Sequence, residues 1–420
     1  MFSHPITLCT ADQIFRFVFK HIGDEIIPAT LKYSKVIIDE IQMYSPQTVA
    51  YMIYGLKIID KLGGKFLIMT ATFPPIFKEL ISEQGINCQF SQPYYSHVAK
   101  RHFIKVIYDD FDLEKIKREG KDKKVLVLCN TVKKAQQVYE ALSKDESSVW
   151  LLHSLFIKKH RRILEDSIIS FSKARENCGI WISTQIVEAS LDIDFDILFT
   201  EMCSADSLLQ RMGRCYRSRI YNGTEPNVFI YVNNNGRGSV YDKEIYDLSV
   251  KHLDAFSGGI FNEHMKQAYV EMVYNCESIK KNAPSYYQTI KGTLDDINKL
   301  LPAAIERSTA HRLFRDIQSI TVIPDSIYKK LKDSGEYDRL ANLINDKSAN
   351  YIEKLKAINE FSSNLLSINN KHNVRKICDR APLSIRNMEV YRSQCAYDFI
   401  EETISGRGFI TGEHEISNFL

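Results

Sequence analysis

Residues 178–217 read CGIWISTQIVEASLDIDFDILFTEMCSADSLLQRMGRCYR, and this stretch decides the fold. Two short apolar runs, at 180–183 and 196–200, flank a polar turn and predict two buried strands. The residues after the second run have a helical pattern that is rich in arginine. This order of elements is typical of an open α/β sheet, which binds its ligands at the carboxyl ends of its strands.

The predicted helix carries the polar groups that indicate a ligand. If it begins near Asp206, then Gln210, Arg214 and Arg217 lie on one face at i, i+4 and i+7. Gly213 keeps the backbone open beside them. Two guanidinium groups on one face suit a polyanion such as a triphosphate, because each offers a planar fork of donors and stays charged. For an isolated pair of arginines, a solvated basic helix is the favoured alternative.

The two motifs together are more specific than either one alone. S-T-Q-x-x-E-x-S-L-D-I followed by Q-R-x-G-R-x-x-R resembles motifs V and VI of the superfamily 2 helicases. The resemblance implies that Arg214 and Arg217 are arginine fingers, which contact the γ-phosphate of ATP. It also implies that Asp192, Gln210 and Arg211 belong to the same nucleotide site.

T-Q-I-V-E-A-S-L-D-I-D-F-D and the earlier L-L-H-S-L-F narrow the resemblance. They resemble the CRISPR-associated helicase-nuclease of type I systems, which the Cascade complex recruits to degrade foreign DNA. The implied ligands and partners are ATP, Mg²⁺, single-stranded DNA and the Cascade effector complex. The family usually has Arg where Leu155 stands, so a nucleic-acid contact is not carried over to that position.

Composition sets outer bounds on the function. With 420 residues the chain has room for two or three domains, and no apolar run approaches the roughly 20 residues that span a bilayer. No membrane association is therefore expected. The nine cysteines include no C-x-x-C pair, which disfavours a zinc ribbon and a disulfide framework. Because no signal-peptide pattern is present, the expected compartment is the cytoplasm. A net charge of +3 permits nucleic-acid binding without requiring it.

Near the N-terminus, P-I-T-L-C-T-A-D-Q predicts a short strand that leads Thr10, Asp12 and Gln13 into a turn. Asp12 is a candidate N-cap for a helix beginning at Gln13. In the helicase resemblance the same residues match the T-x-D-Q motif on the DNA path of the first motor domain. The helix cap and the DNA contact stay equal alternatives.

YSKVIIDEIQ places two carboxylates at the end of a predicted strand. Residues 36–38 are a continuous apolar run, which predicts a parallel strand buried on both faces, with Asp39 and Glu40 at its carboxyl end. Asp39 is suited to hold Mg²⁺ through water, and Glu40 to orient and deprotonate an attacking water. A surface acidic pair at a helix start is the alternative.

A second predicted buried strand, K-F-L-I-M, is followed by T-A-T at 70–72, which matches motif III of the family. Together with it, the acidic pair resembles a Walker B box. Thr70 and Thr72 thereby join the implied nucleotide site. Gln42 stands where many relatives carry His, and its neutral amide still offers hydrogen bonds across the cleft, so it is counted with the catalytic residues.

Neither a G-x-x-x-x-G-K-[ST] phosphate loop nor a His-Asp dipeptide occurs in the sequence. The resemblance implies both, the second in a metal-dependent nuclease domain. We therefore expect residue 1 to lie inside the first motor domain. The nuclease domain is expected in a missing N-terminal part or on a separate chain. Without the phosphate loop, this chain alone is expected to be inactive as an ATP hydrolase.

Strands that end in polar residues predict the second motor domain. K-V-L-V-L-C-N-T at 124–131, followed by a helix, and S-V-W-L-L-H-S at 148–154 join the strands near 180, 196 and 228 in a RecA-type parallel sheet. A lone His at a strand edge is more often a satisfied structural residue than a ligand-binding one. The implied nucleic-acid-binding residues at these strand ends are Asn130, Thr131, His153, Ser154, Thr184 and Gln185.

The expected architecture is α/β, with RecA-like motor domains at 1–95 and 96–240, the first incomplete. A turn cluster at 233–238 ends the second domain. A mainly helical accessory domain is expected at 241–420, interrupted by a strand at 319–324.

The predicted function is the helicase module of a type I CRISPR-associated effector. It would use ATP to move along and unwind DNA in antiviral defence, as part of a longer protein. The alternatives are a general superfamily 2 nucleic-acid helicase and a non-catalytic DNA-binding or Cascade-docking remnant.

Overall fold

The protein folds into two α/β lobes followed by a region of helices and short strands, as the computed structural model describes it. No helix among the described residues is long and apolar enough to cross a bilayer. The described residues are 4–91, 100–144, 148–174, 176–188, 191–302, 314, 319–369, 378, 383–385 and 388–411.

The first lobe, residues 4–91, is built on two parallel strands that are paired in register, Lys35 with Lys65 and Asp39 with Met69. Its longest helix begins after Ser45, whose hydroxyl accepts a hydrogen bond from the backbone N–H of Thr48. The helices are α1 (Ala11–Phe15), α2 (Ile26–Leu31), α3 (Pro46–Lys61) and α4 (Pro75–Glu83), and the strands are β1 (Lys35–Asp39) and β2 (Lys65–Met69).

The prediction that residues 36–38 are buried on both faces is wrong. Ile37 is 60% exposed, and on β2 Leu67 and Met69 are 52% and 45% exposed. The described residues supply a helical layer on one side of this sheet alone, so side chains alternate between core and solvent. We call the surface formed by Ile37, Leu67 and Met69 the open face.

The N-terminal residues also differ from the prediction. Residues 4–10 contain no strand, and α1 begins at Ala11 rather than at Gln13. Thr10 is the N-cap, and its N–H donates to Gln13 Oε1 at 3.2 Å, as in a capping box. Asp12 therefore does not cap the helix; it lies in the first turn and is buried.

The second lobe, residues 100–260, holds a seven-stranded sheet in the order β5-β6-β4-β7-β8-β3-β9. β9 runs antiparallel to β3, and all other pairs are parallel. β4, β6 and β7 are buried at every position, as expected of central parallel strands, and the strands predicted here are confirmed. The strands are β3 (Phe103–Ile107), β4 (Lys124–Leu128), β5 (Val149–Leu152), β6 (Gly179–Ser183), β7 (Ile197–Glu201), β8 (Val228–Tyr231) and β9 (Gly259–Ile260).

Helices connect the parallel strands and continue beyond the sheet. Because β9 lies past residue 240, the sheet extends beyond the domain boundary that the sequence predicted. The helices of this region are α5 (Leu113–Gly120), α6 (Val132–Leu142), α7 (Lys158–Lys173), α8 (Ala205–Met212), α9 (Lys243–Leu253), α10 (Glu263–Tyr274), α11 (Cys276–Asn282) and α12 (Pro284–Lys299).

The last region has helices as far as Ser363, as the prediction of a mainly helical domain expected, together with two small sheets. The strand predicted at 319–324 is confirmed, but it belongs to a four-stranded sheet, β11-β10-β13-β12, and a separate hairpin, β14–β15, follows. The elements are β10 (Ser319–Pro324), α13 (Asp325–Asp333), α14 (Glu336–Asn345), α15 (Tyr351–Ser363), β11 (Leu366–Asn369), β12 (Leu383–Ile385), β13 (Met388–Ser393), β14 (Tyr397–Ile400) and β15 (Ser405–Phe409).

Two contacts tie this C-terminal half to the lobes. Helix α12 packs along α3, and Lys20 Nζ donates to the carbonyl of Leu300 at 2.6 Å. The β14–β15 hairpin lies beside β5, where the N–H of Phe409 donates to the carbonyl of Leu155 at 3.0 Å. The hairpin therefore covers the end of β5.

Candidate functional site

The acidic pair lies at the carboxyl end of β1, as predicted. Asp39 is the last residue of the strand, and Glu40 follows with φ 50° and ψ 53°, in the left-handed region. The N–H of Glu40 donates to the carbonyl of Met69 at 2.9 Å, which holds the turn against β2. This backbone conformation is sparsely populated by residues with a side chain, so the surrounding contacts must maintain it.

Glu40, Gln42 and Thr70 form one hydrogen-bonded unit. The Gln42 amide Nε2 donates to Glu40 Oε2, and the Thr70 hydroxyl lies 2.9 Å from the same oxygen and 2.8 Å from Gln42 Oε1. The N–H of Thr72 donates to Thr70 Oγ1 at 3.1 Å, while the hydroxyl of Thr72 is buried without a partner. The first lobe thus brings together four of the predicted site residues around one carboxylate.

Arg214 follows α8 in the second lobe. Burial and the charge of Arg217 lower the pKa of Arg214, whereas the charges of Glu188, Asp192 and Glu40 act in the opposite direction. Helix α8 also contacts the turn Ile41–Met43. The guanidinium donates to the carbonyl of Leu191 at 2.8 Å and to that of Glu188, and its Nε is buried without a partner.

The predicted helix face that would carry Gln210, Arg214 and Arg217 is wrong. α8 ends at Met212, and Arg214 and Arg217 lie in the following segment. That segment pairs with the chain at 194–196: Phe195 N–H donates to Arg214 O at 2.9 Å, and Tyr216 N–H donates to Phe195 O at 3.1 Å. These backbone hydrogen bonds replace the ones that would have continued α8.

Arg217 and Asp192 are both on the surface. Arg217 Nε lies 3.1 Å from Asp192 Oδ1, and the Arg217 N–H donates to Asp194 Oδ1 at 3.0 Å. The preceding residue, Tyr216, has φ 48°. Arg217 is therefore directed by a left-handed turn and a local ion pair rather than by a helix.

Several residues that hold the segment 214–217 were missed from the sequence. Arg101 Nη1 donates to the carbonyl of Arg217 at 2.9 Å, and His102 Nε2 lies 2.8 Å from the carbonyl of Cys215. Burial lowers the pKa of His102 well below its ordinary value, so the imidazole is neutral and donates this hydrogen bond. Arg101 and His102 lie in the connector between the lobes. They belong to no motif, so the sequence analysis did not single them out.

Arg219 also holds this segment in place, through two aspartates of the chain at 194–196. Arg219 contacts Asp194 Oδ2 at 2.8 Å and Asp196 Oδ1 at 2.7 Å. Burial alone would lower the pKa of Arg219, but the hydrogen bonds that it donates to both aspartates raise it. The alternating D-I-D-F-D pattern was the sequence signal for this contact, because Asp194 and Asp196 are two residues apart and lie on one side of the segment.

Arg211 lies inside the second lobe, and its place in the nucleotide site stays a prediction. Its guanidinium is fully buried and contacts Glu188 Oε1 at 2.7 Å, Thr200 Oγ1 at 2.9 Å and the hydroxyl of Tyr241 at 2.6 Å. Every nitrogen therefore has a partner inside the lobe. Gln210, by contrast, has a buried Oε1 without a partner.

The predicted nucleic-acid set divides into two groups. Asn130, Thr131, Thr184 and Gln185 meet at the adjacent ends of β4 and β6, where Gln185 Nε2 donates to Asn130 O at 2.8 Å. Thr131 caps α6 by accepting from the N–H of Lys134 at 3.2 Å. Asn130 and Thr184 are buried, so these contacts are structural as they stand, and a DNA contact stays a prediction.

His153 and Ser154 lie at the end of β5, under the β14–β15 hairpin. His153 is fully buried; its Nδ1 accepts from the N–H of Leu155 at 3.1 Å, and its Nε2 lies 2.9 Å from the carbonyl of Arg407. Both ring nitrogens are satisfied internally, which favours the structural alternative for this histidine.

Glu201, at the end of β7, organises the neighbouring turn and was also missed. Its buried carboxylate accepts from the N–H of Asn130 at 2.6 Å, from Asn233 Nδ2 at 2.8 Å and from Asn235 Nδ2 at 2.8 Å. The N-N-N-G-R-G cluster is thus a turn built around one carboxylate. The run of asparagines was the available signal, because amide groups suit a buried acid.

Known proteins with a similar sequence or fold include Cas3 nuclease/helicases. A family model described as the C-terminal part of the CRISPR-associated nuclease/helicase Cas3 matches residues 121–220. The Cas3 nuclease/helicase of Methanothermobacter thermautotrophicus is 29% identical over 349 residues, which cover 78% of this chain and 42% of the relative. The chain is thus similar to Cas3 helicases.

Further known proteins show the same similarity. The Cas3 endonuclease/helicase of Escherichia coli K12 is 29% identical over 255 residues, or 52% of this chain and 29% of the relative. The crystal structure of T. fusca Cas3 with ATP has the same fold, with a TM-score of 0.71 at 16% identity, over 91% of this chain and 54% of that one. The chain thus resembles the helicase part of these curated relatives and spans less than half of their length.

Proposed function

We propose that the Cas3-like chain supplies the motor of a type I CRISPR effector, in which ATP hydrolysis drives movement along single-stranded DNA. The observation that carries the proposal is the contact of α8, the helix just before Arg214, with the turn Ile41–Met43, which follows Glu40 on the first lobe. A carboxylate and an arginine on opposite sides of a cleft are the pair that phosphoryl transfer needs, one for the attacking water and one for the developing charge.

The donor set fits ATP and Mg²⁺. Asp39 and Glu40 offer only oxygen, and one or two carboxylates with phosphate oxygens are the usual protein contribution to Mg²⁺. Asp39 would hold the ion, which neutralises phosphate charge when bound. The buried, unpartnered hydroxyl of Thr72, Oε1 of Gln210 and Nε of Arg214 are polar groups left for a ligand.

The residues of the chain then have distinct roles. Glu40, oriented by Thr70 and Gln42, orients and accepts the proton of the attacking water. Arg214 leaves the carbonyls of Glu188 and Leu191 and contacts the γ-phosphate, where its charge stabilises the transition state. We further propose Arg217 as the second finger, because its ion pair with Asp192 is exposed and easily exchanged for phosphate.

Turnover tests this proposal. Because the 420 residues contain no phosphate loop, the chain alone should not hydrolyse ATP, but a fusion to the phosphate-loop part of the M. thermautotrophicus relative should do so when single-stranded DNA is present. In that fusion Glu40→Gln should retain ATP binding and abolish hydrolysis. Arg214→Ala should lower the rate on the order of 10³-fold. Unchanged rates in both variants would refute the assigned roles.

The competing function is a non-catalytic DNA-binding or Cascade-docking remnant, which the missing phosphate loop favours. A fusion that binds DNA but never hydrolyses ATP would support it.

For the motor, we propose Cascade as the recruiting partner, a nuclease domain outside these residues, and the cytoplasm as the compartment.

Weak, salt-sensitive binding of single-stranded DNA is expected from the chain as it stands. Phosphate contacts release counterions, so affinity should fall steeply as salt rises, with little dependence on base sequence. Titration of a fluorescent oligonucleotide at several salt concentrations measures this. A marked preference for one base sequence would argue against a backbone-tracking channel.

A further inference from the structure

Three charged side chains meet at the start of α10. Glu263 is the first residue of this helix, and its Oε1 accepts from Arg101 Nη2 and, at 2.8 Å, from Lys266 Nζ. Lys266 is only 7% exposed, and burial lowers its pKa to about 8, although Glu263 opposes that shift. A largely buried group of charges is weak evidence for stability, because its desolvation cost offsets the attraction. The cluster Arg101, Glu263 and Lys266 therefore calls for a role besides stability.

Arg101 joins this cluster to the backbone of Arg217. Its Nη1 donates to the Arg217 carbonyl at 2.9 Å, while its Nη2 donates to Glu263. The planar guanidinium fixes the angle between these donors, so one fork orients two partners at once. The path of the chain at Arg217 thus depends on a carboxylate of α10.

Both ends of this link are fixed by their own surroundings. Asn227, which is 1% exposed, donates from Nδ2 to the carbonyl of Arg101 at 2.9 Å. Asn262 caps α10 by accepting from the N–H of Met265 at 3.0 Å, which fixes the helix start that carries Glu263. A hydrogen bond between two fixed groups can hold a third in place.

The segment 214–217 needs such a hold. Tyr216 has φ 48°, so a small change in the path of the chain would redirect the side chain that follows. The ion pair of Arg217 with Asp192 is exposed on both sides, and pairs of that kind contribute little. The contact from Arg101 is more sheltered, and α10 also packs against α8, which ends just before the segment.

We propose that Arg101, oriented by Glu263 and Lys266, is a positioning residue that holds the Arg217 backbone where its side chain can reach the γ-phosphate of ATP. The inference rests on the proposed function of Arg217. Arg101 acts through Arg217 rather than on the nucleotide. Loss of the link should therefore leave ATP binding nearly unchanged and slow the chemical step.

Hydrogen exchange of the 420-residue chain tests the positioning without catalysis. Arg101→Met should speed exchange in a peptide covering 213–219 at least about tenfold, because the segment loses one of its holds. Arg392→Met is the matched control, since the Arg392 side chain is 16% exposed against 20% for Arg101 and pairs with Asp325 in the C-terminal region. The control should leave this peptide unchanged. Equal exchange in the parent and Arg101→Met would overturn the proposal.

Turnover by the fusion to the phosphate-loop part of the M. thermautotrophicus relative tests the consequence. Arg101→Met should lower kcat on the order of 10-fold or more with KM for ATP nearly unchanged, because a misplaced group costs rate rather than binding. Arg101→Lys keeps the charge beside Glu263 but replaces two donors in a fork by one nitrogen, so it should lower kcat as well. If Arg101→Met does not fold, Arg101→Lys carries both measurements.

Two double variants test the part played by the cluster. Glu263→Gln with Lys266→Met removes both charges and keeps an acceptor for Arg101, so kcat should stay within about twofold of the parent. Glu263→Ala with Lys266→Met also removes the acceptor and should lower kcat as Arg101→Met does. Equal rates in the two double variants would remove Glu263 from the proposal's chain of contacts and overturn it.

The readouts separate this inference from the motor function. A parent fusion without turnover contradicts the motor, while hydrogen exchange still decides whether Arg101 holds the segment. A parent fusion with turnover that neither Arg101 variant reduces contradicts the positioning and leaves the motor. Urea midpoints that fall alike in Arg101→Met and Arg392→Met, with kcat unchanged in both, would show a purely structural role.

Discussion

At the scale of single residues, two arginines of one motif have opposite environments. Arg211 is fully buried and pairs with Glu188, whose own side chain is almost fully buried. Burial raises the pKa of the Glu188 carboxyl, and Arg211 opposes that shift. Arg217 is half exposed and pairs with an exposed aspartate. Sequence position alone gives no sign of this difference.

Substitution should separate the two roles. Arg211→Ala should lower the free energy of unfolding by about 3–5 kcal/mol, because it leaves the Glu188 carboxylate buried without its partner. Arg217→Ala should change it by less than about 1 kcal/mol, as expected for a surface ion pair. Urea unfolding measures both. A loss below about 1 kcal/mol for Arg211→Ala would mean that water reaches Glu188 readily.

At the scale of elements, the packing of α3 against α1 requires glycine at position 55, whereas α12 does not require glycine at position 292. A Cβ on Gly55 in α3 would overlap Phe15 Cδ1 and lie 2.9 Å from its Cε1, whereas a Cβ on Gly292 in α12 meets nothing within 4 Å. Phe15 is buried and cannot move aside without disturbing the core.

Alanine at these two glycines should therefore have effects of opposite sign. Gly55→Ala should destabilise the protein by about 1–3 kcal/mol through overpacking, and Gly292→Ala should stabilise it by roughly 0.5–1 kcal/mol through lower backbone entropy of the unfolded chain. Thermal unfolding of the pair gives the comparison. Equal shifts would indicate that α1 and α3 separate easily.

The β14–β15 hairpin should loosen in acid. Burial lowers the pKa of His153 to about 3 and that of His160, which contacts the Tyr397 hydroxyl, to about 4. Between pH 6.5 and about 4 these histidines are protonated in the unfolded chain but not in the folded one. The free energy of unfolding therefore falls as the pH falls. Each histidine contributes up to about 1.4 kcal/mol per pH unit.

Urea midpoints across this pH range measure the effect. His153→Gln with His160→Gln should give a shallower dependence than the parent, and His264→Gln on the exposed side of α10 is the control. A dependence that the double substitution leaves unchanged would assign the acid sensitivity to other groups.

Sequence patterns predicted the second lobe well, for a physical reason. Its central strands β4, β6 and β7 are buried on both faces, so their apolar runs are unbroken, and polar residues follow these runs at one sheet edge. Ile37 and Leu67 have the same pattern, but the layer that would cover them is not among the described residues. Arg214 left the predicted helix face because pairing with Phe195, a tertiary contact, ended α8.

At the scale of the whole molecule, the cores divide the chain unevenly. One continuous hydrophobic cluster extends from Phe15 to Phe314 and includes both lobes. A smaller cluster, from Ile323 to Val390, lies within α13–α15 and the four-stranded sheet. The lobes therefore share a core, and the C-terminal sheet and its helices have one of their own. A third, small cluster joins that sheet to the second lobe, through Leu155, Val322 and Leu366 among others.

Hydrogen exchange in increasing urea should resolve two units. Residues 319–369 should lose protection at lower urea than both lobes, which should lose theirs together, because stability follows the buried apolar area of each cluster. Mass spectrometry of peptides reports each segment. Simultaneous loss in all described segments would mean that the contacts of α12 and the hairpin join everything into one cooperative unit.

The left-handed backbone of Glu40 has a consequence for evolution. A side chain in that conformation costs on the order of 1 kcal/mol, which glycine would not incur. Selection for thermal stability alone would therefore favour glycine at position 40 and remove the carboxylate. If Glu40 has the proposed role, its carboxylate is kept at a cost in stability, and a screen for heat resistance should select glycine at position 40 together with a loss of ATP hydrolysis.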